Sequence, residues 1–179
     1  KNDFISNIDI KLRTNQDFAA NSLSWRMSKT SPEVSFLNEF GSHCINLALR
    51  FSFDQDFIVT SAKKNNIILD SLNNKNSSRI SLIGKDSNVR KSVFLVKIES
   101  SKFIYETDLY YFKKYNHNME LIESSSLASE GMHASAYLRG IDFAVQMEEF
   151  LSNNEISETD IKTSLKTDKH LTSLTKAYL

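Results

Sequence analysis

The chain has 179 residues, 22 basic and 22 acidic side chains and a single cysteine. Such a length predicts one domain able to bury roughly 70% of its unfolded surface without disulfides or metal. Zero net charge, one Cys and four scattered His argue against a nucleic-acid binder, a disulfide framework and a metal centre.

In chain order, Ile8, Ile10 and Leu12 alternate with Asp9 and Lys11, which predicts a half-buried strand. Residues 15–28 carry Phe18, Ala19, Leu23 and Met27 at helical spacing and predict a first helix. Ser31-Pro32-Glu33 is a helix start, with a capping hydroxyl, a proline suited to the first turn and an acid that complements the dipole. From there Phe36, Leu37, Phe40, Cys44, Leu47, Ala48 and Phe51 form an apolar stripe. Gly41-Ser42 interrupts it, so the stripe is one helix or two.

A run of β-branched and aromatic segments follows, punctuated by Asn/Asp/Gly turns such as Lys63-Lys64-Asn65-Asn66 and Gly84-Lys85-Asp86-Ser87-Asn88. That pattern predicts consecutive hairpins. After Ser124-Ser125-Ser126, Met132, Ala136, Gly140, Phe143, Met147 and Phe150 define a helical face. Ser157-Glu158-Thr159-Asp160 opens another helix through Ile161 and Leu165.

The expected fold class is α+β: an antiparallel β-meander of about five or six strands packed by N-terminal and C-terminal helices. One domain spans 1–179, with a strand plus helices over 1–53, the meander over 54–123 and helices over 127–179. No apolar run approaches the roughly 20 residues that cross a bilayer. The chain starts at Lys1 rather than Met, which suggests trimming or processing. The expected location is the cytoplasm or, after delivery, a host cytosol.

Cys44 has two readings. If a helix begins at Ser42, the thiol lies in its first turn, where unsatisfied amides and the dipole activate a nucleophile. His117 or His133 would then be the base, in a layout shared with papain-like and transglutaminase-like enzymes, although no family motif is matched residue by residue. His133 and Asp142 lie nine residues apart, on opposite sides of a helix. His43 faces away from Cys44 and is a poor base for it. If the helix runs through Gly41, Cys44 is a small core hydrophobe.

Tyr105, Tyr110, Tyr111 and Tyr115 cluster in one strand region and make a candidate contact surface for a protein partner. No phosphate loop, dinucleotide fingerprint or metal-ligand spacing is present, so no cofactor is expected. The leading functional expectation is a non-catalytic interaction factor of bacterial or phage origin, of effector, inhibitor or immunity type. The alternative is a cysteine-dependent hydrolase or acyl transferase.

Overall fold

The computed structural model describes residues 4–14, 37–51, 56–63, 65–72, 77–88, 93–108, 111–126 and 158–176. Eight strands form one mixed sheet: β1 (Ile5–Arg13), β2 (Phe57–Lys63), β3 (Asn66–Ser71), β4 (Ser77–Ile83), β5 (Val93–Ser100), β6 (Ile104–Thr107), β7 (Tyr111–Tyr115) and β8 (Leu121–Ser126). Two α-helices are described, α1 (Ser42–Phe51) and α2 (Glu158–Lys176), with a π-helical turn at Leu37–Gly41 leading into α1.

The strand order is β2-β3-β4-β1-β5-β6-β7-β8. It corrects the expected meander of five or six strands. The first strand does not stand outside the hairpins. It inserts between β4 and β5, parallel to β4 and antiparallel to β5. Burial accounts for the position. Ile8 and Ile10 are fully buried, and each pairs with a β4 and a β5 residue at once: Ile8 with Ser78 and Ile98, Ile10 with Ile80 and Val96. A strand with so apolar a face, and ladder partners on both edges, is stable only in the middle of a sheet.

Among the described residues, helices cover one face of the sheet. Ile8, Ile10 and Leu12 of β1, Ile80 and Leu82 of β4, and Ile67 and Leu69 of β3 point to it. Leu37, Cys44, Ile45, Ala48 and Leu49 complete that core. α1 packs against β1 and β4, and α2 packs against α1, β2 and the π-helical turn. Asn46 Nδ2 donates to Thr167 Oγ1 at 3.4 Å and ties the two helices. On the opposite face β1 presents Asn7, Asp9, Lys11 and Arg13, all only half-buried.

Every residue of β8 is exposed, and its Ser124-Ser125-Ser126 end has low strand preference, whereas β7 carries the strand formers Tyr111, Phe112 and Tyr115. Pairing in the hairpin holds them, and an Asn116 turn closes it. Asn116 Oδ1 accepts from the backbone N–H of Asn118 and Glu120 at 2.9 and 3.0 Å. Met119 takes the left-handed conformation at φ 64°.

Candidate functional site

The Leu37–Gly41 turn and α1 make the most distinctive local structure. π-helical turns are rare and concentrate at functional sites. This one depends on Gly41. A Cβ there would lie 2.8 Å from Leu37 Cδ1 and 3.4 Å from Leu82 Cδ1, so any larger residue would force the Leu37 side chain to shift. The wide turn flows into α1 without a break, which bears directly on Cys44.

Cys44 is inert packing. The chain is already helical before Ser42, so the thiol meets no free helix N-terminus. It is fully buried, and desolvation pushes its pKa up to about 12. A thiolate nucleophile at neutral pH is incompatible with that environment. His117 is exposed in the β7–β8 turn, at the edge of the sheet, whereas α1 lies over β1 and β4. His133 lies outside the described residues. The structure therefore brings no imidazole to Cys44 among the sequence-derived candidates it describes.

The four tyrosines do not form one surface. Tyr105 points to the helix-covered side, where it meets Phe103 edge-on and Phe112 at a tilt, at ring-centroid distances of 6.2 and 6.1 Å. Lys114 Nζ lies 4.2 Å from the Phe103 ring centre. Tyr111 is exposed and Tyr115 half-buried, both on the other face. Tyr110 lies outside the described residues.

His43 is the residue that the sequence pattern does not single out. It is exposed in the first turn of α1, directly after the π-helical turn, beside the buried Cys44. The signal is present as Phe40-Gly41-Ser42-His43, but in the pattern His43 figures only as a poor base for the thiol next to it.

Among the described residues, cavities flank the helices. One, of about 400 Å³, lies between Phe51 at the end of α1 and the β5–β7 strands, lined by Ile5, Val96, Ile98, Tyr105 and Phe112. The other, of about 590 Å³, lies beside α2 and is lined by Asp56, Lys166, Lys169 and His170. There His170 Nε2 is 3.3 Å from Asp56 Oδ1, and the imidazole packs edge-on against Phe57. Among the described residues no group of three or more His, Cys, Asp or Glu side chains could hold a metal ion. No described helix is long and apolar enough to cross a membrane.

The large mixed sheet, with the described helices packed on one face, defines the class of fold, and known structures share it. No protein-family profile matches the sequence, and no curated protein does. Solved structures do. The chain is similar to a dehydrogenase (MviM) from Clostridium difficile, at TM-score 0.65 and 13% identity, over 97% of this chain and 55% of that one. It is similar to a levoglucosan dehydrogenase in complex with NADH and levoglucosan, at TM-score 0.64 and 11% identity, over 97% and 57%. A Gfo/Idh/MocA family oxidoreductase from Vibrio cholerae matches at TM-score 0.58 and 10% identity, over 97% and 52%. The chain thus spans about half the length of each. The shared fold is that of dehydrogenase structures, which replaces both sequence-based expectations, the non-catalytic effector and the cysteine hydrolase.

The dehydrogenase likeness implies a nicotinamide dinucleotide, and the residues present can be tested for it. A dinucleotide cradle needs parallel strands and a glycine-rich turn from the first strand into a helix N-terminus. Among the described strands one pair is parallel, β1 with β4, and the other six pairs are antiparallel. β1 leads into Thr14-Asn15-Gln16-Asp17, and the first glycine of the sequence is Gly41. The described residues of this chain do not fit the dinucleotide.

Proposed function

We propose that this chain is an oxidoreductase domain that supplies the substrate side of a carbohydrate or polyol dehydrogenase. The similarity of 97% of the chain to dehydrogenase structures carries the reading. Because this chain fits a dinucleotide poorly, the reading assigns the hydride acceptor's binding residues to another part of the enzyme.

Oxidising a secondary alcohol removes a proton from oxygen and a hydride from carbon. His43 is the proton acceptor. An imidazole nitrogen can accept a hydroxyl proton and return it. Its exposure in the first turn of α1, directly after a π-helical turn, leaves it open to a substrate. The class of substrate, a molecule with vicinal hydroxyls, is taken from the levoglucosan and inositol dehydrogenase structures to which the chain is similar.

The test is an NMR titration of the histidine-labelled chain with levoglucosan and myo-inositol, and separately with NADH. The expected result is a shift of the His43 ring resonances with a polyol, absent in His43→Gln, and no response to NADH. Silence of His43 to every polyol, or saturable NADH binding, would overturn the proposal.

A further inference from the structure

The cavity beside α2 gathers hydrogen-bond donors on one side of that helix. Lys166, Lys169, His170 and Ser173 line it, with the exposed Leu165 beside them and Asp56, just before β2, opposite. Lys169, His170 and Ser173 stand three, four and seven residues after Lys166. At about 100° per residue the four side chains share an arc of about 100°. Asp168 sits about 200° round the helix from Lys166, so it projects away from the cavity.

The charges there do not balance. Asp56 is the acid among the lining residues, and its Oδ1 lies 3.3 Å from His170 Nε2 and 3.9 Å from Lys166 Nζ. One carboxylate thus serves both groups. Among the described residues Lys169 has no ion-pair partner. Two ammonium groups against one carboxylate leave a positive excess, in a chain whose net charge is zero. On the sheet the cations are matched instead: Lys11 with Asp9, Arg13 with Asp86, Arg79 with Asp70, Lys97 with Glu99. The inner groups of the cavity are also shielded from water. The side chains of Lys166 and His170 are 21% and 10% exposed, and charge in such a setting is screened less than on an open surface.

We infer that this cavity binds a phosphate group, free or carried as a monoester by a small organic molecule. Lys166 and Lys169 supply charge, Ser173 a hydroxyl donor, and His170 an imidazole at the cavity wall. Lysine binds phosphate as a point charge, through charge-assisted hydrogen bonds. Asp56 is engaged by Lys166 and His170, so an entering anion meets Lys169 and Ser173 first. The volume, about 590 Å³, falls within the roughly 300–1,000 Å³ of ligand pockets. Leu165 gives an apolar wall for the organic part of a monoester. The site stands apart from His43. Phe57 pairs with Ser71, whose hydroxyl accepts from the backbone N–H of Ser78, early in β4. The Gly41 turn that leads to His43 meets Leu82, near the other end of that strand. The inference is therefore independent of the role proposed for His43.

NMR titration of the histidine-labelled chain at pH 7 tests it, with ionic strength held at about 0.1 M by chloride. The probes are inorganic phosphate and phenyl phosphate, neither of which carries the vicinal hydroxyls ascribed to the His43 substrate. The His170 ring resonances are expected to shift saturably, with a dissociation constant on the order of 1 mM. Lys169→Gln, at an exposed position, should weaken binding about tenfold, the worth of one hydrogen bond to a charged group. Lys63→Gln, the same charge change at the far end of β2, should leave binding unaltered. Tighter binding of phenyl phosphate identifies a monoester as the ligand and equal binding identifies free phosphate; both support the site. No saturable shift, a shift confined to His43, a response of equal size to chloride alone, or the same loss in Lys63→Gln as in Lys169→Gln would each overturn the inference.

Discussion

Arg79 grips Asp70 across the β3–β4 ladder, with Nε 2.7 Å from Oδ1 and Nη2 3.2 Å from Oδ2. Thr60 Oγ1 donates to the same carboxylate at 2.7 Å. The guanidinium's hydrogen bond is the largest cause holding the Asp70 pKa below its ordinary value, with the Thr60 bond adding to it against some desolvation. The Arg79 side chain is 58% exposed, so water screens the pair.

The pH consequence follows from the direction of that shift. A carboxyl whose folded pKa is depressed contributes stability above its unfolded pKa, near 3.9. It loses that contribution as pH falls through the folded value. Asp70→Asn should cost about 0.5 kcal/mol at pH 7, the scale of an exposed pair. The difference from wild type should shrink below about pH 4. Urea midpoints of both proteins at pH 7 and pH 3 measure it; an equal gap at both pH values would count against the pair.

Cys44 should behave as a core residue. With its pKa raised to about 12, alkylation of the folded protein at neutral pH should follow unfolding rather than thiol ionisation. Fast labelling below pH 7 would contradict the burial. Cys44→Ala should cost roughly 1 kcal/mol through a small cavity. Cys44→Ser should cost more, about 1–3 kcal/mol, because it buries a hydroxyl where a thiol had little need of a partner. Thermal or urea denaturation of the two variants decides the order.

Much of the local structure is legible in the residues. Ile8, Ile10 and Leu12 announce a strand by alternation, and the stripe through Phe40, Cys44, Leu47 and Ala48 announces a helix face. The Asn65 turn between β2 and β3 is also local, and Asn65 adopts the left-handed conformation that asparagine tolerates, at φ 61°. What local pattern cannot hold is a choice of neighbours. The insertion of β1 beside β4, which sets Asn7 next to Ser77, is a long-range event. The site is hidden for a different reason. Periodicity at 3.6 residues averages over a π-helical turn, so Gly41 looks like a helix break when it is a close contact. The thiol then looks like the residue at a helix start, and His43 like its bystander.

Gly41→Ala tests the contact. The added Cβ would meet Leu37 Cδ1 at 2.8 Å, and Leu37 and Leu82 are both fully buried. Overpacking of this kind costs about 1–3 kcal/mol. Leu37→Ala removes the clashing atom but opens a cavity, costing about 2–5 kcal/mol alone. The double variant should therefore be less destabilised than the sum of the singles, since the two changes share one volume. Strict additivity in denaturant melts would show that Gly41 serves backbone conformation rather than space.

The central place of β1 makes a sharper forecast than its apolar pattern does. Ile10 is fully buried and has Ile80 and Val96 as ladder partners on its two sides, so three strands converge on one side chain. Ile58, of the same residue type, is 40% exposed on the edge strand β2. Ile10→Ala should cost about 2–5 kcal/mol, from lost burial and a cavity that two neighbouring strands cannot close. Ile58→Ala should cost well under that, about 0.5 kcal/mol. If β1 were instead a peripheral strand added to a self-sufficient meander, Ile10→Ala would melt it locally and leave the remaining transition almost unchanged. Hydrogen exchange separates the cases. Global destabilisation should lower protection in β4 and β5 together with β1, because both depend on β1 for one of their ladders.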